Sequence, residues 1–395
     1  MGKSSRNPDP PSCKKYGVPL YGASWVPRKS IRSDSNPTQD DDGDQPSADG
    51  SPPSTAAENY LVFAGGGGEG RSGIPNALLL AHFDPASDSL SDLPVAKLGT
   101  GADLPYRMAV HPGGEGLICS LLKSCRWFEW DATNSTDGHK LGLKDSENVL
   151  NQLEDIGLQL ALTFNNEGSL LAVGSEDGKL RVFKWPSMEI IIDQADAHSS
   201  VKDLDFSPDG KFLVSLGSGV PGRVWDVTSS TSVASLQKEN DEVFGFCRFS
   251  QTNGNSLVLY VTSMRDRGGS IIKWNPTSWT RMSSKHIVKD PVSAFAVSTD
   301  GKLLAVGTTQ GDILILNSTS MRVQAIVRKA HLGIVTALMF SEDSRALVSA
   351  SFDSSARVTQ IKDEKKNGSS MWIILFILLL AVAVYYAKNE GMLPW

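Results

Sequence analysis

The sequence predicts an all-β chain, a seven-bladed propeller followed by one C-terminal transmembrane helix. Three observations carry this. A strand, polar turn and strand unit recurs every 42 to 54 residues. Six glycines crowd between Gly65 and Gly73, flanked by two apolar runs. An uncharged run from Met371 to Ala387 lies near the end of the chain.

The N-terminal residues 1–15 are polar and Pro-rich, without the apolar stretch of a secretory signal, and are expected to be disordered. Tyr21 to Val26 reads as the first strand of a first blade. Residues 28–57 follow, rich in Ser, Pro, Asp and Gly and including Asp40-Asp41-Asp42-Gly43-Asp44. So few apolar groups cannot offset the entropy of ordering, so this acidic stretch is expected to be a disordered insertion within the blade.

Tyr60-Leu61-Val62-Phe63-Ala64 and Ala77-Leu78-Leu79-Leu80 then read as two strands joined by the glycine-rich loop. Glycine has the most backbone freedom to lose on ordering. Its concentration here points either to a flexible turn or to a backbone bent tightly around something. A phosphate-binding reading fails, because the loop lacks the Gly-Lys-Ser/Thr ending of a P-loop and a strand, not a helix, follows it. A bend of many glycines can instead turn several carbonyl oxygens toward one hard cation. With few carboxylates nearby, a monovalent ion fits better than calcium.

The repeat is clearest in Phe206-Ser207-Pro208-Asp209-Gly210, Val297-Ser298-Thr299-Asp300-Gly301 and Phe340-Ser341-Glu342-Asp343-Ser344, each followed by an apolar strand. Phe164, Val110 and Phe249 open further copies. A period near 40–45 residues is that of WD40 propeller blades. Trp225-Asp226 supplies one WD dipeptide, and Trp185 and Trp274 stand in similar places without the Asp. Ala197-His198 and Ala330-His331 resemble the Gly-His element, with the imidazoles expected to hydrogen-bond inside a blade. The propeller is expected to span residues 16–361, with its last blade closed by a strand from around Tyr16 to Leu20.

A juxtamembrane linker, 362–370, leads to the apolar run 371–387. As a helix this run would be about 26 Å long, close to the thin endoplasmic reticulum bilayer. Lys362, Lys365 and Lys366 precede it and Lys388 alone follows, so the large N-terminal part is expected in the cytosol and a tail of 388–395 in the lumen.

The net charge of −6 argues against a nucleic-acid-coating protein. The four cysteines form no CxxC and are expected to be reduced thiols. No nucleophile–base arrangement has motif support, so neither covalent chemistry nor a small-molecule substrate is expected.

Taken together, Gly65-Gly66-Gly67-Gly68-Glu69-Gly70 with Gly73-Ile74-Pro75-Asn76, the preceding Tyr21-Gly22-Ala23, and the late Ala330-His331 with Ile334-Val335-Thr336 resemble the Sec12 family, most of all its plant members. That family consists of membrane-bound guanine-nucleotide exchange factors for the small GTPase Sar1. The resemblance implies a cytosolic propeller at the endoplasmic reticulum that binds GDP-bound and nucleotide-free Sar1 and initiates COPII vesicle formation. It implies that the loop wraps a potassium ion through carbonyls within Gly66, Gly67, Gly68, Glu69, Gly70, Gly73 and Ile74. It also makes Asn76 the exchange-critical residue, with Ile74 and Pro75 beside it at the GTPase-contacting end. One plant branch, the phosphate transporter traffic facilitators, resembles an exchange-inactive adaptor and lacks the Gly-rich loop. This chain keeps both the loop and Asn76, which favours exchange.

Overall fold

In a computed structural model the described residues are 9–31, 59–68, 70, 72–122, 124–131, 141–239, 241–251, 256–266, 268–362, 375–382 and 384–385. The chain divides into two units, Met1–Gln360 and Ile361–Trp395. The first is built of seven antiparallel sheets, six of four strands and one of five. Innermost strands of neighbouring sheets touch in sequence around the whole set, and the seventh touches the first. The ring is therefore closed, as the repeat predicts.

The recurring turns explain the repeat chemically. Ser207, Ser298 and Ser341 each donate a hydroxyl hydrogen bond to the Asp two residues on, at 2.5, 2.7 and 2.6 Å. Asp209, Asp300 and Asp343 in turn accept from the backbone N–H of Lys211, Lys302 and Arg345. Each serine oxygen also accepts the N–H that opens the following strand. The Ser-x-Asp pattern thus closes a turn locally and sets the register of the hairpin.

No blade holds a core of its own. Leu20, Phe63 and Leu79 of the first sheet pack with Val348 and Val358 of the seventh. Val62, Leu78 and Leu80 on its other face pack with Leu117, Cys119 and Phe128 of the second. Each sheet buries both faces against its neighbours, so the blades stabilise one another only as a ring.

Closure differs from expectation in one detail. The outermost strand of the seventh blade is Cys13–Lys15, pairing with Ser355–Gln360, and Leu20 already begins the first blade. Part of the stretch expected to be disordered is therefore the closing strand, upstream of Tyr16. At the insertion, Arg28–Ile31 forms a short 3-10 turn whose Ser30 hydroxyl donates to the Gly114 carbonyl. The rest of the predicted insertion, 32–57, lies outside the described residues.

In the second unit, residues 375–382 and 384–385 are helical. No helix among the described residues is long and apolar enough to cross a membrane. The remaining positions of the predicted span 371–387, and the tail 388–395, lie outside the described residues.

Candidate functional site

The glycine-rich loop joins the second strand of the first blade, Asn59–Gly65, to the third, Asn76–Asp84. Antiparallel order puts such second-to-third connections on the same face of the ring as the links between blades. That shared face brings the loop base against two of these links. Gly66 N–H donates to the Pro19 carbonyl at 3.0 Å, in the link entering the first blade. The Asn76 amide Nδ2 donates to the carbonyls of Gly101 and Ala102, at 3.2 and 3.1 Å, in the link leaving it.

The loop is folded on itself rather than slack. A Cβ on Gly66 would lie 2.2 Å from Asn76 Oδ1, and one on Gly67 would lie 2.3 Å from Ser72 Oγ and 2.9 Å from the Ile74 carbonyl oxygen. The two arms therefore approach to a distance that no other residue type permits. Gly68 and Gly73 have φ of +79° and +71°, the left-handed region that glycine alone enters freely. Asn76 completes the closure. Its Oδ1 accepts from the Gly68 N–H at 2.9 Å, and its Nδ2 donates to the Gly68 carbonyl at 3.3 Å. Ser72 Oγ accepts from the Ile74 N–H, stiffening the outer turn.

The predicted site residues therefore separate into two groups. Ile74, 36% exposed, and Pro75 stand at the surface with Gly70 and Gly73. Asn76 is only 4% exposed and spends its amide inside the loop. The structure places Asn76 at the base of the loop, directly below the exposed Ile74 and Pro75. Gly66 is buried, Gly67 and Gly68 are half-buried, and Glu69 lies outside the described residues.

For a monovalent cation the donor set is backbone oxygen. Where the Gly66–Gly67 arm meets the Ser72–Ile74 arm, the Ile74 carbonyl oxygen lies 2.9 Å from the position of a Gly67 Cβ, so backbone oxygen of one arm is packed directly against the other. Among the described residues there is no cluster of three or more His, Cys, Asp or Glu side chains that could hold a metal.

Sequence reasoning missed Pro19, Gly101, Ala102 and Ser72. The first three contribute only backbone carbonyls, which leave no trace in residue type, and Ser72 is one serine in a polar loop. The histidines fall where expected. His198 Nε2 meets Ser215 Oγ at 2.8 Å, and that hydroxyl also receives the Trp225 indole N–H at 2.9 Å. His331 lies between Ser355 and Ser349, at 2.5 and 2.7 Å.

Comparison with known proteins agrees with this architecture. The model described as "WD domain, G-beta repeat" matches residues 323–359, and "Anaphase-promoting complex subunit 4 WD40 domain" matches 162–265. The first match begins on the outer strand of the sixth blade, Val323–Val327, and ends in the third strand of the seventh, Ser355–Gln360. SEC12-like protein 2 of Arabidopsis thaliana is 50% identical over 94% of this chain and 93% of its own length. SEC12-like protein 1 of the same plant is 30% identical over 78% of this chain and 77% of its own. A protein of Rattus norvegicus named guanine nucleotide-exchange factor SEC12 is 23% identical, covering 85% and 93%.

Proposed function

The chain belongs to the Sec12 family, and from this premise we propose that it is the exchange factor that releases GDP from the small GTPase Sar1. It would act on the cytosolic face of the endoplasmic reticulum, held there by the apolar segment 371–387, and so initiate COPII vesicle formation. The single observation that carries the reading is the closed loop. An exchange factor forms no covalent bond. It binds the nucleotide-free GTPase more tightly than the GDP-bound form and shifts that equilibrium. A loop inserted to displace nucleotide-binding segments loses less affinity when it is ordered beforehand.

This chain orders its loop with its own groups. Asn76 fixes Gly68 through both its N–H and its carbonyl and ties the loop to Gly101 and Ala102. Ile74 and Pro75 are thereby held outward as the contacting tip. A potassium ion, when bound by carbonyls of the two facing arms, would supply further rigidity without a side-chain ligand. Candidate ligands remain Gly66, Gly67, Gly68, Glu69, Gly70, Gly73 and Ile74.

The test is release of fluorescent GDP from Sar1 by the full chain in liposomes, in potassium and in sodium buffer. Acceleration is expected, greater in potassium. No acceleration by a chain with the intact loop would overturn the exchange reading and favour the adaptor. Equal rates in the two buffers would remove potassium while leaving exchange.

A further inference from the structure

Resting on that reading, we propose that an apolar strip from the seventh to the second blade, on the loop face, is the affinity surface for the same GTPase, separate from the loop that drives release. The strip begins with Leu332, Ile334 and Phe352, which are 57, 39 and 43% exposed. Phe352 packs edge-on against Tyr21, ring centroids 4.9 Å apart, and Tyr21 lies 5.8 Å from Tyr106. Tyr21 is the second residue of the innermost strand of the first blade and Tyr106 precedes that of the second. The row thus crosses three adjacent blades.

The repeat supplies its own control. Ser351-Phe352-Asp353 of the seventh blade corresponds to Ser175-Glu176-Asp177 of the third and Thr308-Thr309-Gln310 of the sixth. Phe352 therefore stands where sister turns carry Glu176 and Thr309. Likewise His331-Leu332, followed by Ile334-Val335, corresponds to His198-Ser199-Ser200-Val201 at the entry to the fourth blade. Leu332 and Ile334 replace Ser199 and Ser200. The blade architecture is met by polar residues at these positions, so folding does not require the three apolar side chains. Contiguous apolar exposure of this kind marks a contact surface.

The strip is also held in place. The Asp353 carboxylate accepts from the Leu332 N–H at 2.7 Å and from Ser355 N–H at 2.9 Å, and Phe352 N–H donates to the Ile334 carbonyl at 3.3 Å. It is continuous with the exchange loop. Gly66 is bonded to Pro19, two residues before Tyr21, and Asn76 is bonded to Ala102, four before Tyr106. One partner resting on the strip would meet Ile74 on the same face. Its complementary surface would be chiefly aliphatic or aromatic opposite Leu332, Ile334 and Phe352, the Arg107 guanidinium lying over Tyr106 at the far end.

The experiment is steady-state GDP release from Sar1 by the full chain in liposomes, comparing wild type with the triple variant Leu332→Ser, Ile334→Ser and Phe352→Thr, each residue taken from a sister blade. KM for GDP-bound Sar1 should rise about tenfold with kcat changed less than about twofold, a loss of one decade of affinity. Ile74→Ser should do the reverse and lower kcat. Should the triple variant melt well below wild type, Leu332→Ser alone decides by the same split. An unchanged KM, or a fall confined to kcat, overturns the strip while leaving exchange intact. A wild-type chain that neither binds nor accelerates Sar1 overturns both.

Discussion

One side-chain amide, that of Asn76, grips both backbone groups of Gly68, accepting from its N–H at 2.9 Å and donating to its carbonyl at 3.3 Å. The same amide reaches the carbonyls of Gly101 and Ala102. A buried residue thus determines the shape of an exposed loop.

Replacing Asn76 should therefore abolish activity without touching the partner. Asn76→Ala removes the side-chain bonds to half-buried Gly68 and to the carbonyls of Gly101 and Ala102, and should cost about 1–3 kcal/mol of local stability. Asn76→Asp keeps the acceptor for Gly68 but turns a carboxylate toward three carbonyls, and should be at least as damaging. GDP-release kinetics, with hydrogen exchange of the loop amides, checks this. Protected loop amides in an inactive Asn76→Ala chain would instead make Asn76 a direct contact.

The glycines of the loop should not be equivalent. Gly67→Ala drives a methyl into Ser72 and the Ile74 carbonyl, whereas a Cβ on Gly70 meets nothing within 4 Å. Exchange should drop at least about tenfold for Gly67→Ala and stay near wild type for Gly70→Ala, since only the first forces the two arms apart. Equal effects would mean the loop's fold is irrelevant to its work.

Stability should depend on the buried histidines below neutral pH. Burial pushes His198 and His331 down from 6.5 to about 4. Both stay neutral in the fold while the unfolded chain takes up protons, so their contribution is complete above about pH 6.5 and is lost as pH falls toward 4. Asp205, pushed up by burial in the central channel beside Arg248, works in the opposite direction, its contribution being lost as pH rises. Urea midpoints at pH 7 and pH 5 for wild type and for His198→Asn/His331→Asn isolate the histidines. The wild type should show the larger drop between the two pH values, and parallel drops would count against this account.

Closure of the ring should depend on the N-terminus. Removing residues 1–15 leaves Ser355–Gln360 as an open edge strand and deletes the Leu90 N–H to Pro11 and Val358 N–H to Ser12 bonds. The truncated chain should melt at a lower temperature and self-associate on size-exclusion chromatography. A monomer with an unchanged melting temperature would show the closing strand to be dispensable.

The blades were legible because their signals are local. Ser207 with Asp209 and Ser298 with Asp300 close turns through contacts two residues apart, and such chemistry appears directly as a repeated motif. The two strands flanking the loop were legible from their apolar runs. Asn76 was visible as a residue of interest, but its hydrogen bonds were not, since its partners Gly101 and Ala102 offer only backbone carbonyls. The closing strand Cys13–Lys15 is three polar or small residues long and carries no periodicity that could announce it.

By itself, the sequence determined that this protein is built of repeated blades, carries one glycine-rich loop in the first, and has the motif residues of the Sec12 family. These are properties of neighbouring residues and of residue type. Only the tertiary structure decided that the Asn76 amide bonds to Gly68, Gly101 and Ala102 at the base of the loop. The ring likewise brings Tyr21, Tyr106, Leu332, Ile334 and Phe352 onto one face beside Ile74. The physical reason is ring closure, which sets the seventh blade against the first and joins in space groups that lie hundreds of residues apart along the chain.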